Sequence, residues 1–341
     1  MVRWGLVSGG GDGAQFADAV KTAQAAEDLG FDTIWMGEGR LMGSIVPLMT
    51  MVLEHTDRLK VGTSVLPYRT RNVSLLAGTF KTFDEMAPGR AIMGLGAWWE
   101  PLASRVGLPN AKPLKAMREI ITVSKRLLAG ETVTFHGEFV HVTDIRFDSP
   151  HDDEGRVYDV PIYTGPVRFK MVELSGEIAD GVALDFLVPP SYTVAAREAL
   201  ERGAAKAGRT LDDFGIAQLV SCAVDDLDPQ QAIDECKFFL TQYIAQQPHI
   251  TEFSGADPEL VDQIQKLVPW PATASQVKEA MRLVSNEFTQ SVCACGTTSD
   301  AIEKIREYVE VGVQEPILVP RGGRDLETAT AIFEKGRLAG L

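Results

Sequence analysis

An eight-fold parallel α/β barrel, (β/α)8 of the TIM type, is the fold class the sequence predicts, and three observations predict it. Short apolar runs alternate with runs of helical period from one end to the other. Eight short strands can be counted, seven of them separated from the next by a helix. The 341 residues exceed the roughly 250 of a plain barrel, which leaves room for insertions. An open doubly wound sheet more often stops near six strands, so closure is the expected architecture. The chain 1–341 then reads as one barrel domain with two excursions.

Each element has its own signal. Val2, Trp4 and Leu6 alternate as a strand, and Phe16, Val20, Ala23, Ala26 and Leu29 recur at helical spacing up to Gly30. The glycines of Gly9–Gly13 lack the Lys-Ser/Thr ending of a phosphate loop and read as a flexible strand-to-helix turn. Strands follow at Thr33–Met36, Leu59–Leu66 and Ala91–Leu95, with helices at Val46–Leu53, Ser74–Met86 (stopped by Pro88-Gly89) and Leu114–Leu128. Between 131 and 159 the period changes to two around His136-Gly137, which predicts an inserted hairpin. The alternation resumes at Pro161–Tyr163, Phe169–Ile178, Gly181–Leu184, Ser191–Ala207 and Phe214–Val224. Residues 229–290 are helical stretches punctuated by Pro248, Pro258, Pro269 and Pro271, too long for one crossover and so an inserted helical region. Thr297 or Thr298 can cap a helix over Ala301–Val311 before a last strand, Pro316–Val319, and a last helix, Leu326–Leu338.

Composition narrows the function. A net charge of −14 argues against broad nucleic-acid or anionic-membrane surfaces, which need basic patches. Four cysteines are too few for a disulfide scaffold, no secretory leader opens the chain, and no apolar stretch spans a bilayer; a reducing cytoplasm is expected. The five histidines show no metal-ligand spacing, Cys293-Ala294-Cys295 has no second pair nearby, and no metal is expected. A Gly-x-Ser-x-Gly elbow is missing too, against a serine hydrolase.

In a closed barrel the reactive groups sit at the carboxyl ends of the strands. There stand Glu38 after the second strand, Tyr68, Arg69 and Arg71 after the third, Gly96, Ala97, Trp98, Trp99 and Glu100 after the fourth, and Thr164, Gly165, Pro166, Val167 and Arg168 after the fifth. The tryptophan pair suits a flat conjugated ligand, and reads equally as core or subunit interface. Tyr68 and Arg69 can receive an acidic group; Arg71 can also pair with Asp84 or Glu85. A helix beginning near Val167 offers free amides to a phosphate. Gly94-Leu95-Gly96 is not a dinucleotide fingerprint, because Trp99 occupies the third glycine position.

Gly62-Thr63-Ser64-Val65, Tyr68-Arg69-Thr70-Arg71-Asn72 and the run from Thr82 to Gly96 resemble the bacterial-luciferase-like superfamily, in the branch that uses the deazaflavin coenzyme F420. Ala25 to Trp35, Pro161-Ile162-Tyr163 with Gly165-Pro166, Gly176 to Gly181 and Pro316 to Pro320 extend the resemblance over nearly the whole chain. It implies a barrel with insertions and a non-proline cis peptide between Ser64 and Val65, forming a bulge under the cofactor ring. It implies cofactor contacts at Ser64, Val65, Gly96, Ala97 and Trp98, with the phosphate near Thr164, Gly165, Pro166 and Val167. Trp99, Tyr68 and Arg69 are then the expected substrate contacts.

Many relatives carry Asp-His after the second strand where this chain has Glu38-Gly39, and the methylene-pterin reductases carry a glutamate in the first strand where it has Leu6-Val7-Ser8. Glu38 and Glu100 are therefore the expected proton-exchanging carboxylates, if burial raises their pKa. The implied activity is hydride transfer between F420 and an electrophilic small molecule, in an expected homodimer. An FMN-dependent monooxygenase and a non-catalytic flavin-binding barrel are the alternatives.

Overall fold

The structure, a computed structural model, describes residues 2–8, 16–39, 41, 43–100, 102–108, 111–148, 156–247 and 251–341. The Gly9–Gly13 turn, Pro248 and residues 149–155 of the expected hairpin region lie outside these. The strands are β1 (Gly5–Val7), β2 (Thr33–Met36), β3 (Lys60–Thr63), β4 (Leu66–Pro67), β5 (Ala91–Gly96), β6 (Val133–His136), β7 (His141–Ile145), β8 (Ile162–Thr164), β9 (Gly181–Leu184), β10 (Gly215–Val224), β11 (Ala294–Gly296) and β12 (Glu315–Pro320). Eight parallel staves close on themselves, and the fold is a (β/α)8 barrel. No helix among the described residues is long and apolar enough to cross a membrane. By internal packing the chain divides into two compact units.

The larger unit comprises Ser8–Ala183 and Ala199–Gly215. Its staves pair in parallel in the order β2, β3, β5, β8, β9, with Met36 opposite Thr63 and Met93 opposite Ile162. All four residues of β2 and all six of β5 are buried, which explains their nearly continuous apolar sequence. Trp35 and Tyr163 lie 5.7 Å apart, ring to ring, filling the interior. Gly62 makes room for them: a Cβ there would stand 2.6 Å from the Trp35 ring.

The third stave departs from the continuous strand expected over Leu59–Leu66. Gly62 pairs with Ile92 and Leu66 with Leu95, so four steps on this stave oppose three on the next. That extra residue is a β-bulge, and the Ser64–Val65 peptide within it is cis, where the resemblance put it.

The hairpin β6–β7 is antiparallel and closes through Gly137, whose amide donates to Val140 O. It is tied to the helix Pro113–Leu128 by Glu119, whose carboxylate accepts the amides of Glu138, Phe139 and Val140 at 2.7–3.0 Å. Burial works against the charge, but the three amides prevail and hold Glu119 below the ordinary carboxylate range.

The smaller unit comprises Met1–Val7, Leu184–Glu198 and Ile216–Leu341. Here β12 pairs with both β1 and β10, and β11 extends the far end of β10. The helices Pro229–Gln246, Pro258–Leu267, Ala274–Ala280 and Asn286–Val292 pack around Cys236, Leu240, Ile244, Ile264 and Val292. Each opens on a side-chain cap: Asp228, Asp257, Thr273 and Ser285. Of the two threonines expected to cap the next helix, Thr297 does so, in a reciprocal box with Asp300.

Glu119→Ala should strip three amides of their acceptor and lower stability by about 2 kcal/mol, with faster hydrogen exchange at Glu138, Phe139 and Val140. Because the Glu119 pKa is lowered on folding, its contribution is present above the unfolded-state pKa and lost as pH falls through the folded one. The Tm difference between the parent and Glu119→Gln, measured from pH 7 downward, should therefore shrink on acidification.

Candidate active site

The bulge on the third stave organises the upper end of the larger unit. Thr63 Oγ1 donates to Gly94 O at 2.6 Å and accepts from Gly94 N at 2.8 Å, a two-way clamp that replaces the interrupted ladder. Ser64 N donates to Met36 O, and Val65 O accepts from Glu38 N at 3.1 Å. The Val65 side chain then lies between two glycines: a Cβ would meet it at 2.1 Å on Gly96 and at 2.4 Å on Gly165. Ser64 Oγ is buried and finds no hydrogen-bond partner among the described residues. A buried hydroxyl without a partner is costly unless a ligand completes it.

After the fourth stave, Trp98 takes a left-handed φ of 63°, where a bulky residue costs about 1–2 kcal/mol. Ala97, Trp98 and Trp99 are partly buried. Glu100 is exposed, and its Oε2 accepts from Ser104 N at 3.1 Å, at the start of the short helix Leu102–Arg105.

Glu38 is not available as drawn from the sequence. Arg71 grips it through two hydrogen bonds of 2.9 Å, and Glu38 Oε2 also accepts from Ile45 N. Arg71 further donates to Ser44 Oγ and Thr70 Oγ1. Both carboxylate oxygens are thus committed to a half-buried bidentate pair, the strongest geometry for an arginine and an acid. This corrects the expected partners of Arg71: Asp84 instead accepts from Gly89 N, and Glu85 pairs with Lys81.

The Tyr68 side chain is fully buried, and its hydroxyl accepts from Arg69 Nε at 3.1 Å. The Arg69 guanidinium lies 4.9 Å from the Phe139 ring centre and donates to Ala111 O. The hairpin therefore helps to fix an arginine of the third stave's loop, a role of Phe139 that nothing in the local sequence signalled.

The fifth corner also differs in detail. Thr164 Oγ1 donates to Ser175 Oγ at 2.6 Å, and Gly165 N donates to Leu95 O. Both donors are spent within the wall. The helix runs Phe169–Ile178, the bounds its period predicts, with Arg168 as its N-cap. Pro166 is buried, Val167 partly so, and Arg168 and Lys170 are exposed beside them.

In the smaller unit, Asp185 directly follows the sixth stave. The sequence carried the signal, an acid after the apolar run Gly181–Leu184 at a strand's carboxyl end, and it went unread. Among the described residues, Asp185 Oδ1 accepts its neighbour's amide, Phe186 N, and burial pushes its pKa up to about 7. Tyr192 nearby is pushed up too, by burial first and by the Asp185 charge second.

The profile of the luciferase-like monooxygenase family matches residues 3–315, so the chain belongs to that family, and it is an oxidoreductase. It is 28% identical to a 5,10-methylenetetrahydromethanopterin reductase of Methanolobus tindarius, over 92% of this chain and 93% of the relative. It is also 28% identical to an F420-dependent glucose-6-phosphate dehydrogenase of Microbacterium testaceum, over 84% and 82%. Among solved structures, the coenzyme F420-dependent tetrahydromethanopterin reductase of Methanopyrus kandleri superposes with a TM-score of 0.87 at 24% identity, covering 99% of both chains.

Gly96→Ala should displace Val65 and cost about 1–3 kcal/mol, a drop in Tm of several degrees. Adding Val65→Ala should return most of that stability, which a thermal melt of the double variant checks. For Asp185, the folded state keeps a proton up to about pH 7, whereas an unfolded aspartate releases it near pH 4. Stability must therefore fall as pH rises between these values, and Asp185→Asn should be the more stable protein at pH 8 while matching the parent near pH 4.

Proposed function

We propose that this chain is a coenzyme F420-dependent oxidoreductase that moves a hydride between the deazaflavin C5 and an electrophilic organic small molecule. The observation that carries the reading is the bulge of the third stave, with a buried Ser64 hydroxyl that has no partner among the described residues. The names of the relatives support the choice of cofactor, and the departures at Glu38 and Leu6 from the pterin reductases' pattern leave the substrate to be chosen by this chain's own residues.

These residues fit a flat tricyclic ring. Val65, seated against Gly96 and Gly165, gives an apolar shelf, and Ser64 Oγ supplies the polar contact that nothing else in the fold takes up. Gly96, Ala97 and Trp98 would flank the linker, and the phosphate would lie at the corner Thr164–Val167, where the exposed Arg168 and Lys170 supply positive charge, since Thr164 Oγ1 and Gly165 N are already committed. When bound, the deazaflavin supplies a carbon that gives or takes a hydride, and the protein supplies orientation and dryness.

Trp99 stacks on a flat or apolar substrate. Arg69, pinned by Tyr68 and Phe139, presents a fixed positive edge towards it. Glu38, held by Arg71, positions the loop after the second stave, and Glu100, exposed after the fourth, is the carboxylate that meets the substrate. The same reading places the enzyme in a reducing cytoplasm as a homodimer, which light scattering checks.

Titration followed by absorbance and fluorescence should show micromolar binding of F420 and at least tenfold weaker binding of FMN. Ser64→Ala should weaken F420 by about tenfold, equivalent to about 1.4 kcal/mol, while raising the Tm of the ligand-free protein. Micromolar FMN binding with oxygen-dependent turnover, and none of F420, would overturn the proposal in favour of a flavin monooxygenase.

A further inference from the structure

One arginine of the smaller unit is packed on aromatic rings and meets no acid of the chain. Arg321 is the first residue after β12, and its amide donates to Cys222 O at 2.9 Å, so pairing with β10 fixes its backbone. Its Nε donates to Ser221 Oγ at 3.0 Å. The guanidinium carbon lies 3.3 Å from the ring centre of Phe239 and 5.6 Å from that of Phe186. Tyr243 completes the wall, 4.2 Å from Phe239 and 5.2 Å from Phe186, ring to ring. All four side chains are partly buried, and all four belong to the smaller unit.

Among the described residues no carboxylate comes within ion-pair distance of Arg321, and neither of its Nη atoms donates to a protein acceptor. The acids of the same corner serve Arg324 instead: Asp225 Oδ2 accepts from it at 3.0 Å, and Glu235 Oε1 stands 3.8 Å away. Asp325 feels the Arg321 charge without pairing to it, and burial, which outweighs that charge, pushes the Asp325 carboxyl up. Burial likewise pushes the guanidinium itself below its ordinary range. Aromatic faces return less than the hydration a guanidinium gives up, so the arrangement is costly for the fold alone.

We propose that Arg321, with Phe186, Phe239 and Tyr243, forms a binding site for a small organic carboxylate with a flat apolar body. Nε is committed to Ser221, which leaves the Nη edge as a fork that matches the two oxygens of a carboxylate. Ser221 and the Phe239 ring hold the plane of that fork, so little freedom is lost when a ligand docks. The three rings suit an aromatic body, which stacks on them and leaves water with its apolar surface. They disfavour a phosphate dianion, whose charge one arginine does not compensate among apolar walls. This site lies wholly in the smaller unit and does not rest on the cofactor proposed above.

The test is a ligand-observed NMR titration of the whole chain, without F420, at pH 7 and low salt, with benzoate, acetate and inorganic phosphate as probes. Benzoate should bind with a Kd of about 1 mM or tighter, and acetate and phosphate at least about tenfold more weakly. Arg321→Gln should weaken benzoate at least about tenfold, and Arg321→Lys, which keeps the charge without the fork, by a smaller factor. Phe239→Leu should weaken benzoate as well. Should Arg321→Gln not fold, Arg321→Lys and Phe239→Leu decide the matter. Benzoate binding that these substitutions leave unchanged, phosphate binding tighter than benzoate, or benzoate binding only at tens of millimolar, about the level of a nonspecific additive, overturns the proposal.

Discussion

The extra residue on the third stave is the constraint on which the candidate site depends. A parallel ladder cannot absorb an unpaired residue without giving up hydrogen bonds, and here the lost bonds are made good by one side chain. Thr63 Oγ1 closes both halves of Gly94's peptide polarity at 2.6 and 2.8 Å. With the ladder repaired in this way, Val65 is turned onto Gly96 and Gly165, and neither position has room for a side chain. Packing decides the site here, and the chemistry of the unpartnered Ser64 hydroxyl follows from it.

Fixed charge is arranged around that shelf with little slack. Glu38 and Arg71 satisfy one another and hold Ser44 and Ile45 of the neighbouring loop. Arg69 is held by a phenol, a carbonyl and an aromatic face. Both arginines of this loop are thereby held in fixed orientations by their neighbours. Glu119, buried among backbone amides, carries the same logic into the hairpin that supplies Phe139.

Two kinds of buried titratable group in the smaller unit respond alike. Asp185 accepts one amide among the described residues, so burial dominates and the acid form persists to neutrality. Burial likewise pushes the Cys222 thiol up, away from its charged form.

The sequence by itself determined the order and number of the staves, the helices between them, the hairpin segment and a threonine cap at 297 or 298, because these rest on period and on contacts within a few residues of one another. Thr297 and Asp300, three residues apart, form that cap as a reciprocal box. The stretch around Ser64–Val65 was legible by resemblance, since its neighbours are contiguous. Only the tertiary structure decided that Arg71 meets Glu38 and not Asp84, that Tyr68 is sealed inside, and that Thr164 spends its hydroxyl on Ser175. Arg71 and Glu38 lie 33 residues apart, Thr164 and Ser175 eleven. Their meeting depends on the register between staves, which a single added residue shifts and which no local pattern encodes.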